Sequence, residues 1–513
     1  MPILGTIIKK AYELRNLPVE KKKQKLQPIQ AQHDVLKKLL RKAQFTAFGE
    51  YYDFDSILES KNITEAFKNQ VPVFDYNNMY KQWWYRALNG EPYVSWPGKV
   101  KYFALSSGTS EASSKHIPVT ADMLTAIKRA SIRQLVSTSK YNFPVHFYEK
   151  GMLMIGGSTH LQYNGTYYAG DLSGITAGSL PFWFQHFYKP GKRISKTAEW
   201  ATKLNEMVRK APSWDIGVIV GVPAWVQILL ERIIQEYNLK TIHDLWPNLT
   251  VYVHSGVSFA PYVKSFEKLF SKPMIYSESY LASEGYIAYQ NSLERRTMEL
   301  IVDNGIYYEF LPFNEENFDE EGNLKDNLTT LKLDEVKENV EYALLLSTNA
   351  GAWRYLIGDT IKFTNVSRCE IVITGRTKHY LSMCGEHLSQ ENMNRAIELL
   401  QEEFNIEVRE FTVAGIRHGS LFAHHWYLGT DDKIDPKLAI QKIDESLKLL
   451  NDDYMVERME AVKELFIDIL PSKVFYDYMK KMGKEGSANK FPRVLKGQRL
   501  EDWENYLKSI RKP

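Results

Sequence analysis

From Val100 onward the chain alternates short apolar runs with amphipathic segments, and this alternation restricts the fold more than any other feature of its 513 residues. The runs KYFALSS, GMLMIGG, IGVIVG, TVYVHSG and PMIYSES are β-rich and end in serine or glycine. Helical patterns lie between several of them, at 121–136, 197–210, 223–237 and 262–270. Strand–helix–strand alternation builds α/β layers with parallel sheet, and such sheets bind ligands where their strands end. After Tyr286 the pattern changes. YIAYQ, MELIVD, IYYEFLPF, YALLLST, WRYLIGD, TIKFTNV and CEIVITG follow one another with few helices between them, which predicts a β-barrel-like or antiparallel part joined to the α/β layers. The acidic stretch 314–339 reads as an exposed excursion between strands.

Gly375-Arg376-Thr377-Lys378 closes the last of these strands with a turn and charges, and reads as a hinge at Gly375 and Arg376. The division that follows is a large N-terminal domain, 1–375, and a smaller, mobile α+β C-terminal domain, 376–513. In the second, EVREFTVAGI and SLFAHHWYLG read as strands, and 390–404, 436–450 and 454–465 as helices. Residues 1–45 read as helical, the basic run 21–25 being a solvated face.

Composition removes several classes of function. Hydrophobic residues make up 44% and charged residues 25%, a globular balance. The 65 basic and 62 acidic side chains leave only +3, so no global field recruits nucleic acid or an anionic membrane. The longest apolar stretch, 216–230, is broken by Gly221 and Pro223 and is too short to span a bilayer, which takes about 20 residues. The N-terminus lacks the cation-then-apolar order of a signal peptide. Two cysteines, Cys369 and Cys384, exclude a disulfide framework and fit a reducing, cytoplasmic setting. The expectation is a soluble protein whose partners are small molecules.

Three segments carry chemistry. The first, Ser106-Ser107-Gly108-Thr109-Ser110-Glu111-Ala112-Ser113-Ser114-Lys115, follows the strand VKYFAL. Small hydroxyl residues around a glycine make a loop whose backbone N–H groups can surround phosphate oxygens, with Lys115 as a cation. It is not the P-loop GxxxxGK[ST]. The second, Tyr280-Leu281-Ala282-Ser283-Glu284-Gly285, sets an aromatic, a hydroxyl and a carboxylate within five positions. That set can stack on a purine, bind phosphate and hold Mg²⁺ through Glu284. Upstream, Ser255-Gly256-Val257-Ser258 ends the strand TVYVH, and a glycine there lets a flat ligand approach the backbone. The third is Trp353-Arg354-Tyr355-Leu356-Ile357-Gly358-Asp359, whose Asp359 can accept hydrogen bonds from the vicinal hydroxyls of a ribose.

The order and spacing of these segments resemble the auxin-responsive Gretchen Hagen 3 family of acyl acid amido synthetases, in the adenylate-forming superfamily. The family's SSGTSxGxxK is similar to Ser106-to-Lys115, followed here by Ile117-Pro118-Val119-Thr120; its YxxSEG is similar to Tyr280-to-Gly285 and its YRYRxGD to Trp353-to-Asp359. FGEYYDF, VPVFDY and NGEPYVSWPG precede the first motif in the family's order, so the resemblance spans essentially the whole chain. Ala112 replaces a glycine, Trp353 the leading tyrosine and Leu356 the second arginine. The resemblance implies an adenylate-forming fold and an ATP- and Mg²⁺-dependent ligase that adenylates a small carboxylic acid and passes the acyl group to an amine, by implication an amino acid. It implies that Ser106, Ser107, Gly108, Thr109 and Ser110 cradle phosphates with help from Lys115, and that Ser255, Gly256 and Val257 line the adenine. Tyr280 contacts the base, Ser283 meets the α-phosphate, Glu284 is the Mg²⁺ carboxylate, Asp359 holds the ribose, and Ala282 and Gly285 belong to the same nucleotide site. Ser107 and Glu284 count among the catalytic groups, with Lys490 of GSANKFPRV as the catalytic lysine of the C-terminal domain; Lys484 and Lys496 are alternatives in the same loop. Two reactions at one site favour a small domain that turns about the hinge. A thioester ligase using the same first step, or a silent nucleotide-binding protein, is the rival reading. Neither the acid, the acceptor nor the oligomeric state is legible.

Other signals are discounted. His424 and His425 are adjacent in a strand and so point to opposite faces, which does not suit one metal. His116, His160 and His186 have no spacing that singles out a base, and the aromatic run 181–188 reads as core.

Overall fold

The structure, a computed structural model, describes residues 3–25, 27–107, 114–178, 182–197, 199–256, 259, 262–292, 294–319, 322–378, 380–482 and 491–510. The chain divides into two compact units. One is Met1–Ser106 with His116–Thr377; the other is Lys378–Pro513 with the short segment Ser107–Lys115.

In chain order the first fifteen strands are β1 (Tyr102–Ser107), β2 (Ser114–Val119), β3 (Gly151–Met154), β4 (Gln162–Tyr163), β5 (Tyr168–Gly170), β6 (Tyr188–Lys189), β7 (Ile216–Gly221), β8 (Val251–His254), β9 (Ile275–Ala282), β10 (Gly285–Tyr289), β11 (Met298–Leu300), β12 (Ile306–Pro312), β13 (Glu341–Thr348), β14 (Tyr355–Asn365) and β15 (Glu370–Arg376). Eleven of them form one sheet in the order β12-β13-β14-β15-β11-β10-β9-β8-β7-β3-β6, and β2-β1-β5-β4 form a second. From β6 to β9 the pairs are parallel, as the unbroken apolar runs require. From β9 to β12 they are antiparallel. The barrel-like part is therefore not seen among the described residues: its strands extend the α/β sheet, which stays open with β12 and β6 at its two edges.

Two helices show how the layers are made. Pro223–Glu236 crosses from β7 to β8; a proline in its first turn supplies a preset φ, and Val226, Leu229, Leu230 and Ile233 are buried. Ala121–Ser137 is capped by Thr120, whose hydroxyl accepts from the Met123 N–H at 3.2 Å, and buries Met123, Ala126, Ile127 and Ala130. Trp353, fully buried, stacks on Phe48 at 5.7 Å and meets Phe54 at 4.8 Å in the aromatic core.

In the second unit β16 (Tyr380–Leu381) pairs with β17 (Leu388–Ser389). The strands β18 (Glu410–His418), β19 (Leu421–Gly429), β20 (Val462–Leu470) and β21 (Val494–Leu495) form a sheet in the order β20-β19-β18-β21. Residues of Gln390–Phe404 and Pro436–Leu450 build one core on this sheet, and residues of Ser472–Lys481 and Gln498–Ile510 another. The helix expected over 454–465 is shorter than its pattern: Asp452–Glu460 is helical, and VKELFIDIL becomes β20, paired in parallel with β19.

Candidate active site

The second motif is a hairpin. β9 ends at Ala282, β10 begins at Gly285, and these two residues pair, so Ser283 and Glu284 are the turn. The turn lies beyond the carboxyl end of the parallel strands: β8 stops at His254, level with Glu278, and β9 runs on to Ala282, while Ser255 and Gly256 follow His254. Gly256 has φ +86°, a left-handed conformation that glycine adopts without a Cβ penalty. The Ser279 hydroxyl donates to the His254 carbonyl at 3.3 Å and ties the two strand ends together.

The third motif reaches the same place from the antiparallel half. The Tyr280 hydroxyl donates to Asp359 Oδ2 at 2.5 Å. Asp359 Oδ1 lies 2.9 Å from Arg376 Nη1, its cross-strand partner on β15. Gly358, at φ +92°, takes a left-handed conformation that favours glycine, next to that guanidinium. Burial pushes the Tyr280 phenol far up, the Asp359 charge adds to this, and Arg376 partly opposes it. The Asp359 carboxylate is thus oriented at both oxygens while keeping acceptor capacity for further donors.

Glu284 is 7% exposed. After burial, its charge is the next cause that raises the Tyr355 phenol, and it also acts on Tyr280. Glu284 therefore shares one electrostatic neighbourhood with Tyr280, Tyr355 and Arg376. The Tyr355 ring packs on Trp84 at 5.2 Å, Trp84 on Tyr76 at 6.1 Å, and the Tyr76 hydroxyl accepts the His116 N–H at 2.9 Å. His116 on β2 is thereby linked to the cluster.

Tyr280, Ala282, Ser283, Glu284, Gly285, Asp359 and Arg376 thus come together, with Ser255 and Gly256 on the adjoining strand end. Ser106 lies on β1 in the same unit, whereas Ser107, the last residue of β1, and Lys115 belong to the second unit. Gly108, Thr109, Ser110, Val257, Lys484 and Lys490 lie outside the described residues. Lys496 follows β21 in the second unit. Gly375 and Arg376 are strand residues paired with Thr360 and Asp359, so Arg376 belongs to the Asp359 cluster, and the break between units follows Thr377.

The rest of the third motif is architecture. Trp353 Nε1 donates to the Ser95 carbonyl at 3.1 Å inside the core. Arg354 turns to the opposite side, its Nε and Nη2 donating to Glu309 at 2.9 and 2.8 Å. Leu356 packs with Leu311, Phe318 and Leu345, so the position of the family's second arginine is apolar here. The guanidinium beside Asp359 comes from Arg376, which reading the motif alone did not single out; the cross-strand register reveals it.

Among the described residues no three His, Cys, Asp or Glu side chains group as a metal site. A single buried carboxylate such as Glu284 is nevertheless what Mg²⁺ uses when phosphates complete its shell. His424 is fully buried with Nε2 3.1 Å from Glu386, whereas His425 faces Asp468 at 3.3 Å, so the two imidazoles do lie on opposite faces.

The fold is of the α/β class, with a cluster of Tyr280, Asp359, Arg376 and Glu284 at the strand ends of its large sheet. Among solved structures the fold matches GH3.15 acyl acid amido synthetase (TM-score 0.57, 18% identity, 94% of this chain and 93% of that one). It also matches 2-hydroxyisobutyryl-CoA ligase with 2-HIB-AMP and CoA (TM-score 0.60, 14% identity, 94% and 92%). Models of the GH3 family match the N-terminal domain over 20–207 and 158–275, the central domain over 299–376 and the C-terminal domain over 391–499. The chain belongs to the GH3 family of acyl acid amido synthetases. Relatives include the jasmonoyl-L-amino acid synthetase JAR6 of Nicotiana attenuata, 23% identical over 455 residues (74% of this chain, 75% of the relative). Another is the indole-3-acetic acid-amido synthetase GH3.2 of Arabidopsis thaliana, 26% identical over 171 residues (32% and 31%). No helix among the described residues is long and apolar enough to cross a membrane.

Proposed function

We propose that this protein uses ATP to adenylate a small carboxylic acid and transfers the acyl group to an amine, an amino acid by preference, releasing pyrophosphate and then AMP in the cytoplasm. The observation that carries this reading is the junction of Tyr280, Asp359 and Arg376 with Glu284 at the strand ends. A carboxylate attacking the α-phosphate brings negative charges together, so the site must supply cations and N–H donors at phosphorus. Ser106, Ser107, Gly108, Thr109 and Ser110 surround the phosphates, with Lys115 beside them and Ser283 on the α-phosphate. Ser255, Gly256 and Val257 line the adenine, with Tyr280 against the base. Asp359, held by Tyr280 and Arg376, accepts from the ribose hydroxyls. Glu284 holds Mg²⁺, which neutralises phosphate charge when bound. Lys490 brings a further cation, and the second unit turns about the segment after Arg376 between the two half-reactions.

A panel of acids with ATP and mixed amino acids, read by mass spectrometry, tests this. The expected products are an amide, AMP and pyrophosphate. A thioester formed with coenzyme A and no amide would replace the acceptor assignment. ATP binding without pyrophosphate release for any acid would replace the enzyme by a silent nucleotide binder.

A further inference from the structure

One pair of side chains next to this site has no task in the account above. His254 on β8 and Glu278 on β9 are direct partners in the parallel register. In-register residues of a sheet project from one face, so the two stand side by side. Tyr280, two positions on from Glu278, projects from that face too, its Cα about 7 Å further along the strand. Its hydroxyl is the one that meets Asp359. The backbone at Glu278 is fixed from β10: its N–H donates to Gln290 Oε1 at 3.1 Å, and its carbonyl accepts from the Gln290 N–H at 2.8 Å.

The side chains themselves are left over. Among the described residues the Glu278 carboxyl meets no hydrogen-bond donor and no cation. His254 is only 5% exposed, and its Nδ1 is buried with no partner among the described residues. Its ring lies against Phe259 at 4.6 Å and 22°. Burial pushes the Glu278 carboxyl up and takes His254 down to about 4, so the imidazole is neutral at pH 7 and Nδ1 is an acceptor in the Nε2–H tautomer. With Glu278 ionised and His254 in that tautomer, the two are neighbouring acceptors without donors, which match a ligand group that only donates, and an ammonium is such a group.

We propose that Glu278, with His254 beside it, receives the protonated amine of the acceptor and is the base that deprotonates it for amide formation. The inference rests on the ligase reading and deepens it. The R–NH₃⁺ group gives one proton to the Glu278 carboxylate. The lone pair so released forms the C–N bond at the acyl carbon; the acyl C–O bond to phosphate breaks, its electron pair leaves with AMP, and the second nitrogen proton passes to solvent. Burial is the cause that raises the Glu278 carboxyl. The titratable groups on the elements around it are His254 on β8, Tyr276 and Tyr280 on its own strand, and Glu267 on the helix Val263–Leu269, which acts on Tyr276. Asp359, Arg376 and Glu284 act on Tyr280.

The test is Glu278→Gln, assayed with an amino acid acceptor and with hydroxylamine, a nucleophile largely uncharged at pH 7. A positioned base contributes about 10²–10⁴-fold. The variant should lose that factor with the amino acid at pH 7, lose much less with hydroxylamine, and recover with the amino acid as pH rises. The fall in amide formation toward low pH should move to higher pH in the variant, where it follows deprotonation of the free amine. His254→Gln should raise KM for the amine more than it lowers kcat. Pyrophosphate exchange on the same preparations shows that each variant is folded and activates acid. Equal losses with both nucleophiles, or no loss with the amino acid, would overturn the assignment. Absence of exchange by the wild type with every acid would overturn the ligase reading and this inference together.

Discussion

Arg354 stands in a motif that reads as nucleotide-binding, yet its surroundings describe a structural ion pair, and its removal separates the two roles. The guanidinium is 6% exposed and Glu309 1%, so solvent screening is slight. Besides Glu309, Arg354 donates to the Lys68 and Val71 carbonyls at 2.8 and 2.7 Å and to the Thr330 hydroxyl at 2.8 Å. Arg354→Met leaves a buried carboxylate unpaired and strands two carbonyls. Breaking a buried pair at one partner costs about 3–5 kcal/mol, because the remaining charge is uncompensated. With a urea slope near 3 kcal/mol/M, the midpoint should fall by about 1 M or slightly more. Glu309→Leu should cost a similar amount, and the double variant less than the sum of the two, since no charge is then left over. Equilibrium urea unfolding of the single and double variants measures this cycle. Below the transition, Arg354→Met should retain its ATP dependence per folded molecule. A variant with unchanged midpoint and abolished turnover would refute the structural reading and return Arg354 to the chemistry.

Other outcomes follow from single contacts. Tyr280→Phe removes the hydroxyl that orients Asp359; a buried hydrogen bond to a charged group contributes about 1.5–3 kcal/mol, so kcat/KM for ATP should fall roughly 10- to 150-fold, and an unchanged value would contradict the geometry. In the second unit, burial alone would raise the Glu386 carboxyl, but His424 and backbone N–H groups more than reverse this and bring it to about 2, against 4.5 in the unfolded chain. Its stabilisation is full above pH 4.5 and is lost as pH falls toward 2, so acid unfolding monitored in that unit should flatten in Glu386→Gln. Lys203, buried with its ammonium on the Gly156 and Gly157 carbonyls at 2.7 and 3.2 Å, is pushed down from 10.5 to about 8. The unfolded chain then binds the extra proton between pH 8 and 10.5, so stability should rise with pH across that window in the wild type and not in Lys203→Met.

Periodicity revealed the layers because burial and periodicity are the same physical fact: IGVIVG became a parallel strand, and the segment opening with Pro223 became the crossover helix. It failed where two periods overlap. VKELFIDIL follows a helix closely and carries charges that suit either state, and only pairing with β19 makes it a strand. The antiparallel half was legible as strands but not as an extension of the parallel sheet, because no local pattern records which strand β10 and β15 pair with. The same limit applies to the site. Tyr280, Glu284 and Asp359 stood out by residue type and spacing, whereas the partnership of Asp359 with Arg376 depends on cross-strand register. His254 and Glu278 gave no signal in the sequence, since a missing partner becomes visible only once neighbours are placed.

The central claim is that Glu284 and Asp359 serve one bound ATP during activation of an acid. Exchange of labelled pyrophosphate into ATP, driven by the acid that the product panel identifies, tests it most directly. Acid-dependent exchange is expected in the wild type, with losses of about 10²–10³ or more in Glu284→Ala and in Asp359→Ala with folding preserved. Exchange at wild-type rates in both variants would contradict it.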